Sequence, residues 1–135
     1  DGIAKGKRLA RARGVRVSWW PGSMTEMLPP GRFDLIYSCG SLHYVPRQRR
    51  TALFARLQAM TRRDGRQAHL VFTRSLVHEE KGERVEYFES GELHASFIDW
   101  QILTHGERVI HCALDGTVHG HAVEQLTAQR PHRAP

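Results

Sequence analysis

Two apolar runs of strand character, separated by one helix-length of chain, narrow the folds open to this sequence more than any other feature. The first is Phe33-Asp34-Leu35-Ile36-Tyr37-Ser38 and the second is Ala68-His69-Leu70-Val71-Phe72-Thr73. Residues 46–62 lie between them, with Leu53, Phe54, Leu57 and Met60 on one helical stripe and Arg47, Arg49, Arg50, Arg56 and Arg62 mainly off it. Pro46 suits the first turn of that helix and Asp64-Gly65 its end. Strand, helix and strand at such spacing make a parallel βαβ unit, whose strands are expected to be covered on both faces. The class is α/β, doubly wound.

The flanks extend this pattern. Residues 2–13 read as a helix capped by Asp1, with Ile3, Gly6 and Ala10 on one face and Gly14 as its stop. Val15-Arg16-Val17-Ser18-Trp19-Trp20 has the β-branched and aromatic content of a strand, closed by Pro21-Gly22. Past residue 90, a short helix over 91–97 precedes strands at 100–105 and 108–113, a turn at Asp115-Gly116, and a last strand over 117–127. An antiparallel hairpin therefore finishes the sheet. With 135 residues the chain suits one domain over 1–129, followed by a tail, 130–135, expected to fray. It opens on Asp1, not Met, as a piece of a longer chain would.

Composition excludes several classes. No run approaches the ~20 apolar residues of a spanning helix, and no basic-then-apolar leader is present, so a cytoplasmic address is the default expectation. Cys39 and Cys112 are too few and too far apart for a disulfide scaffold or a cysteine-rich zinc module, and both are read as free thiols. The net charge is +6 and only Lys5, Lys7 and Lys81 of the twenty basic residues are lysine. Arginines on outer helix faces, without interleaved exposed aromatics, do not make a nucleic-acid platform. Glu79, Glu80, Glu83, Glu86, Glu89 and Glu92 crowd one segment that reads as a solvated loop or lid edge.

The small residues Ser38, Cys39, Gly40 and Ser41 close the first apolar run, and ligands of open α/β sheets bind outside such carboxyl ends. His43 and Tyr44 follow, placed to face a substrate; a histidine there exchanges a proton near neutral pH. His111, Cys112, His119 and His121 invite a metal reading, since His119 and His121 share a strand face. No carboxylate or second cysteine is spaced to complete four ligands, so no metal is expected. Ser41 and His43 lack a third, orienting residue, so a hydrolase triad is not expected either.

In their order and spacing, Gly22-Ser23-Met24, the run from Phe33 to Val45, and Arg63-Asp64-Gly65-Arg66 before a strand resemble the second half of a class I S-adenosylmethionine-dependent methyltransferase. Phe88, Gly91-Glu92-Leu93, Asp99-Trp100 and Val118-His119-Gly120-His121 narrow the resemblance to the tellurite-resistance (TehB-type) methyltransferases. It implies S-adenosylmethionine as cofactor, with Ser23 and Met24 beside the adenine and Ser38, Cys39, Gly40 and Ser41 against the methionine portion. Where that family carries an acidic residue this chain has Ser23, a weaker acceptor, with Glu26 near enough in sequence to reach back. His43 and Tyr44 would face a small nucleophilic acceptor. Chalcogen oxyanions are among the family's acceptors, and Arg74 at a strand end would guide an anion.

Two parts of such an enzyme are missing from these residues: the glycine-rich loop after its first strand and the acidic residue that ends its second. No GxGxG pattern occurs. In the family order 3-2-1-4-5-7-6 the absent strands one and two fall between the run at Val15 and the run at Phe33. The expectation is an α/β, Rossmann-like class I methyltransferase sheet without those two strands, its edges open to a homodimer partner or another chain. Dry unpaired backbone groups there would cost about 1–3 kcal/mol each. The rival expectation is a non-catalytic interaction module docking through that edge, or a basic nucleic-acid-binding fragment.

Overall fold

Pairing, more than local propensity, decides which segments are strands in the computed structural model of this chain, which describes residues 2–76, 85–113 and 116–132. The chain divides into two compact units, residues 1–30 and 31–135.

The first unit holds α1, Gly2–Ala12. Ile3, Gly6 and Ala10 are its half-buried positions, as their spacing predicts. The helix ends in a Schellman arrangement: Val15 N donates to Ala10 O (3.0 Å) and Gly14 N to Arg11 O (3.1 Å), with Gly14 at φ +63°. A Cβ on Gly6 would lie 2.5 Å from Trp19 Cη2, so glycine is what lets the indole rest on the helix. Residues 15–20 form no strand, contrary to their composition. A strand exists only by hydrogen bonding to a neighbour, and none of the described strands pairs with this segment. Asp1, read as the cap of α1, lies outside the described residues.

The second unit contains β1 (Phe33–Cys39), a 3-10 turn (Leu42–Tyr44), α2 (Arg47–Met60), β2 (Thr61–Phe72), α3 (Glu92–Ala95), β3 (Gln101–Cys112) and β4 (His119–Gln129). Among the described residues the sheet order is β1-β2-β4-β3. β1 runs parallel to β2, and β4 runs antiparallel to both β2 and β3. The expected hairpin thus closes the sheet, but β3 is one strand of 12 residues where sequence spacing predicts two short ones. β4 supplies it with continuous partners from Gln101 to Cys112, so its polar centre pairs through. No helix among the described residues is long and apolar enough to cross a membrane.

β2 sorts its side chains by parity. Gln67, His69, Val71 and Thr73 are buried toward the face that takes Leu53, Phe54 and Leu57 of α2 and Leu93 and Phe97 beside α3; Phe54, His69 and Phe97 meet at centroid distances of 5.6–5.9 Å. β4 is central, and His121, Ala122, Val123 and Glu124 are buried in unbroken succession. β1 departs from its expectation of cover on both faces: as the edge strand it leaves Leu35 58% and Tyr37 68% exposed.

Two further expectations are corrected. Arg50, placed off the apolar stripe by helical spacing, is buried among the polar atoms of the loop after β2. The acidic run is not a solvated edge where it is described: Glu86 accepts the Arg47 N–H (2.7 Å), Glu89 pairs with Arg47 and Arg74, and Glu92 pairs with Arg50. Glu79, Glu80 and Glu83 lie outside the described residues. The tail expected to fray from Arg130 is anchored at its start, since Arg130 N donates to Gly65 O and its guanidinium to Gln58 O, while His132 meets Asp64.

Candidate functional site

The parallel pair carries β1 and β2 to a common carboxyl end, and the chain leaves β1 there through Gly40. Gly40 N extends the ladder by donating to Leu70 O (3.0 Å), and its φ of +62° is a left-handed conformation that favours glycine. Cys39 is exposed and Gly40 and Ser41 are half-buried, so this strand tip lies at the surface and not inside the core.

Ser38 starts a hydrogen-bonded chain whose polarity is determined throughout. Thr61 Oγ1 donates to Leu57 O (2.9 Å), Gln67 Nε2 to Thr61 Oγ1 (2.9 Å), and His69 Nε2 to Gln67 Oε1 (2.8 Å). His69 Nδ1 is then the acceptor and takes the Ser38 hydroxyl proton at 2.7 Å. Ser38 therefore turns lone pairs, not its proton, toward any ligand at the strand tip. Burial holds His69 neutral, its pKa lowered from 6.5 to about 4. The folded value lies below the unfolded one, so between those limits the unfolded chain binds the extra proton. The associated stability is complete above pH 6.5 and is lost as the pH falls to about 4. At ~1.4 kcal/mol per pH unit the loss between pH 7 and 4 comes to about 3 kcal/mol. Denaturant unfolding of wild type and His69→Gln across that range checks it; equal losses in both would remove the assignment.

His43, read from sequence as facing a substrate, is fully buried. Its ring stacks on Phe72 at 4.1 Å and 13°, and Nδ1 accepts from Phe72 N at 3.4 Å. It positions the turn from within. Tyr44, 40% exposed, is the member of the pair at the surface, its ring 4.6 Å from that of His43. Arg74 is exposed but its Nε lies 3.2 Å from Glu89, so part of its charge is already matched.

Ser23 and Met24 belong to the first unit. Ser23 Oγ meets Thr25 Oγ1 at 2.8 Å, and Ser23 O accepts from Glu26 N and Met27 N in a tight turn; Met24 is half-buried. Cys112, His119 and His121, dismissed as a metal set on sequence, come together with their ligand atoms within 4.8 Å of one another. His69 and Gln67 were not singled out by sequence reading. Their signal is parity: two polar side chains share the buried face of a strand with Val71.

A family model described as a methyltransferase domain matches residues 1–65. A search of the curated proteins finds no match. Among solved structures, TehB from Haemophilus influenzae superposes with a TM-score of 0.80 at 15% identity, over 95% of this chain and 46% of its own. The 1,6-didemethyltoxoflavin-N1-methyltransferase of Burkholderia thailandensis, solved with its substrate and S-adenosylhomocysteine, gives 0.66 at 21% identity, over 93% and 56%. The N-methyltransferase NodS of Bradyrhizobium japonicum WM9, in complex with S-adenosylhomocysteine, gives 0.66 at 13%, over 95% and 62%. At these identities the likeness is one of fold, and the chain spans about half the length of these structures.

Proposed function

We propose that this chain, which has the fold of the carboxyl-terminal portion of a class I S-adenosylmethionine-dependent methyltransferase, works as that portion of a methyl-transferring enzyme. The observation that carries the reading is the surface strand tip Ser38-Cys39-Gly40-Ser41 on a sheet of order β1-β2-β4-β3, parallel at one end and antiparallel at the other. That order is the 4-5-7-6 half of the expected sheet.

The tip fits the methionine portion of the cofactor. Gly40 lets backbone approach closely, and Ser38, its proton committed to His69, offers lone pairs that suit an ammonium group. S-adenosylmethionine supplies an electrophilic methyl group on a positive sulfur. The chain's own residues then have modest tasks: the Ser38–His69–Gln67–Thr61 chain keeps the tip in one conformation, His43 and Phe72 pack beneath it, and Tyr44 faces outward to border an acceptor. Positioning and exclusion of water account for most of what such a transfer needs from protein. Within the first unit, Ser23 is proposed as a neutral acceptor for an adenine amino group, with Met24 beside it.

The acceptor class we favour is a small nucleophile, with chalcogen oxyanions supported by the TehB likeness in fold and by Arg74 at the end of β2. A glycine-rich βα unit is still needed and would lie against the open edge of β1, where Leu35 and Tyr37 are exposed. Calorimetry with S-adenosylmethionine tests the reading. The 135 residues alone should bind weakly, and the same residues joined to a glycine-rich βα unit near micromolar, about −8 kcal/mol. No binding in either form would leave the interaction-module reading in its place.

A further inference from the structure

At the turn end of the β3–β4 hairpin, Cys112, His119 and His121 share one face of the sheet. Cys112 is the direct cross-strand partner of His119, and His121 is two residues further along β4, so all three side chains project the same way. Their ligand atoms lie within 4.8 Å of one another, and the two Nε2 atoms are 2.9 Å apart. The edges of a tetrahedral zinc site with two imidazoles and one thiolate are about 3.3–3.7 Å, given Zn–N near 2.0–2.1 Å and Zn–S near 2.3 Å. Closing the set around an ion therefore takes side-chain shifts of about 1 Å.

The protons are already arranged for it. His119 Nδ1 lies 2.9 Å from Thr117 O, and a carbonyl only accepts, so Nδ1 carries a hydrogen and Nε2 is the nitrogen left to meet a metal. A carbonyl that accepts the hydrogen of the other ring nitrogen and so fixes the tautomer is the usual companion of a zinc-bound histidine. Across their 2.9 Å contact the Nε2 atoms of His119 and His121 share one hydrogen. An ion would displace that proton and take both nitrogens.

We propose that Cys112, His119 and His121 bind a zinc ion through one thiolate and two imidazole nitrogens, leaving the fourth position to solvent. Among the described residues no fourth protein ligand joins the set, which is the ordinary state of an open site. The site also bears on the strand tip. His121 stacks on Phe72 at 4.2 Å and 17°, and His43 stacks on the same ring at 4.1 Å and 13°. Two near-parallel rings at that distance must lie on opposite sides of the phenyl, so metal at His121 braces the column that ends under Ser41 and Tyr44. The proposal does not depend on the methyl-transfer reading.

Cobalt(II), then zinc(II), added to the metal-free 135-residue chain tests it. One equivalent of cobalt should give four-coordinate d–d bands and a thiolate-to-cobalt charge-transfer band, and zinc should displace both. Cys112→Ser should abolish the charge-transfer band and weaken zinc by more than the ~10–100-fold that loss of an outer-shell partner costs; His119→Ala should weaken it comparably. Cys112 and His119 are only half-buried, so both variants retain the fold. His111→Ala, an exposed histidine on the opposite face of β3, should change nothing. Cobalt binding without the charge-transfer band, or equal loss in His111→Ala, would mean scattered surface histidines and overturn the site.

Discussion

Replacing Glu124 with alanine is expected to lower the unfolding free energy by about 3–5 kcal/mol, a large part of what a domain of this size possesses. The carboxylate is fully buried on β4 and holds three donors: Leu93 N (3.2 Å), His94 N (2.9 Å) and His105 Nε2 (2.9 Å). The first two are backbone groups in the opening turn of α3, which the helix itself leaves unpaired. Alanine strands those donors in a dry interior, at about 1–3 kcal/mol each, and opens a cavity besides. Glu124→Gln keeps the volume and one acceptor oxygen, so it should fall between wild type and alanine. Denaturant unfolding with an unchanged m-value is the measurement. A loss below about 1 kcal/mol for Glu124→Ala would show that water reaches these groups.

Arg50→Met should cost about 3 kcal/mol, in the lower part of the range for removing one partner of a buried pair, because Glu92 keeps some solvent contact. The guanidinium, 3% exposed, donates to Glu92 Oε1 (2.9 Å), Val45 O (3.1 Å) and Glu86 O, and its carbon lies 3.7 Å from the Phe88 ring centroid. It thereby ties α2 to the segment between β2 and α3. Methionine matches the stem but leaves two carbonyls and a carboxylate without their donor. Arg50→Lys retains charge but not the planar fork, and should recover less than half of the loss. Recovery to wild-type stability by lysine would mean that charge alone, not the set of directed bonds, is what matters.

Both predictions concern residues that periodicity placed poorly or not at all. Helical spacing assigned Arg50 to the outer face because it counts side-chain character within one helix. The residues that bury it, Glu86, Phe88 and Glu92, come from more than thirty residues away. Glu124 sits in a strand that alternation identified, but alternation gives no reason for a carboxylate inside. Its donors are the unpaired N–H groups of α3, visible only once helix and strand are adjacent. The tip at Ser38-Cys39-Gly40-Ser41 was legible because small residues after an apolar run are a local signal, whereas the burial of His43 under Phe72 was not.

Local periodicity was enough to establish α1, α2, β1 and β4, because each carries its pattern within its own length and needs no distant partner to be recognised. Assembly settled the rest. Residues 15–20 have strand chemistry but no strand partner among the described residues, so they form no strand. β1 has an apolar run and, among the described residues, one neighbour, so Leu35 and Tyr37 stay exposed. Ser38 meets His69, and Cys112 meets His119 and His121, through register across the sheet. Register is a relation between strands, and no window along a single strand contains it.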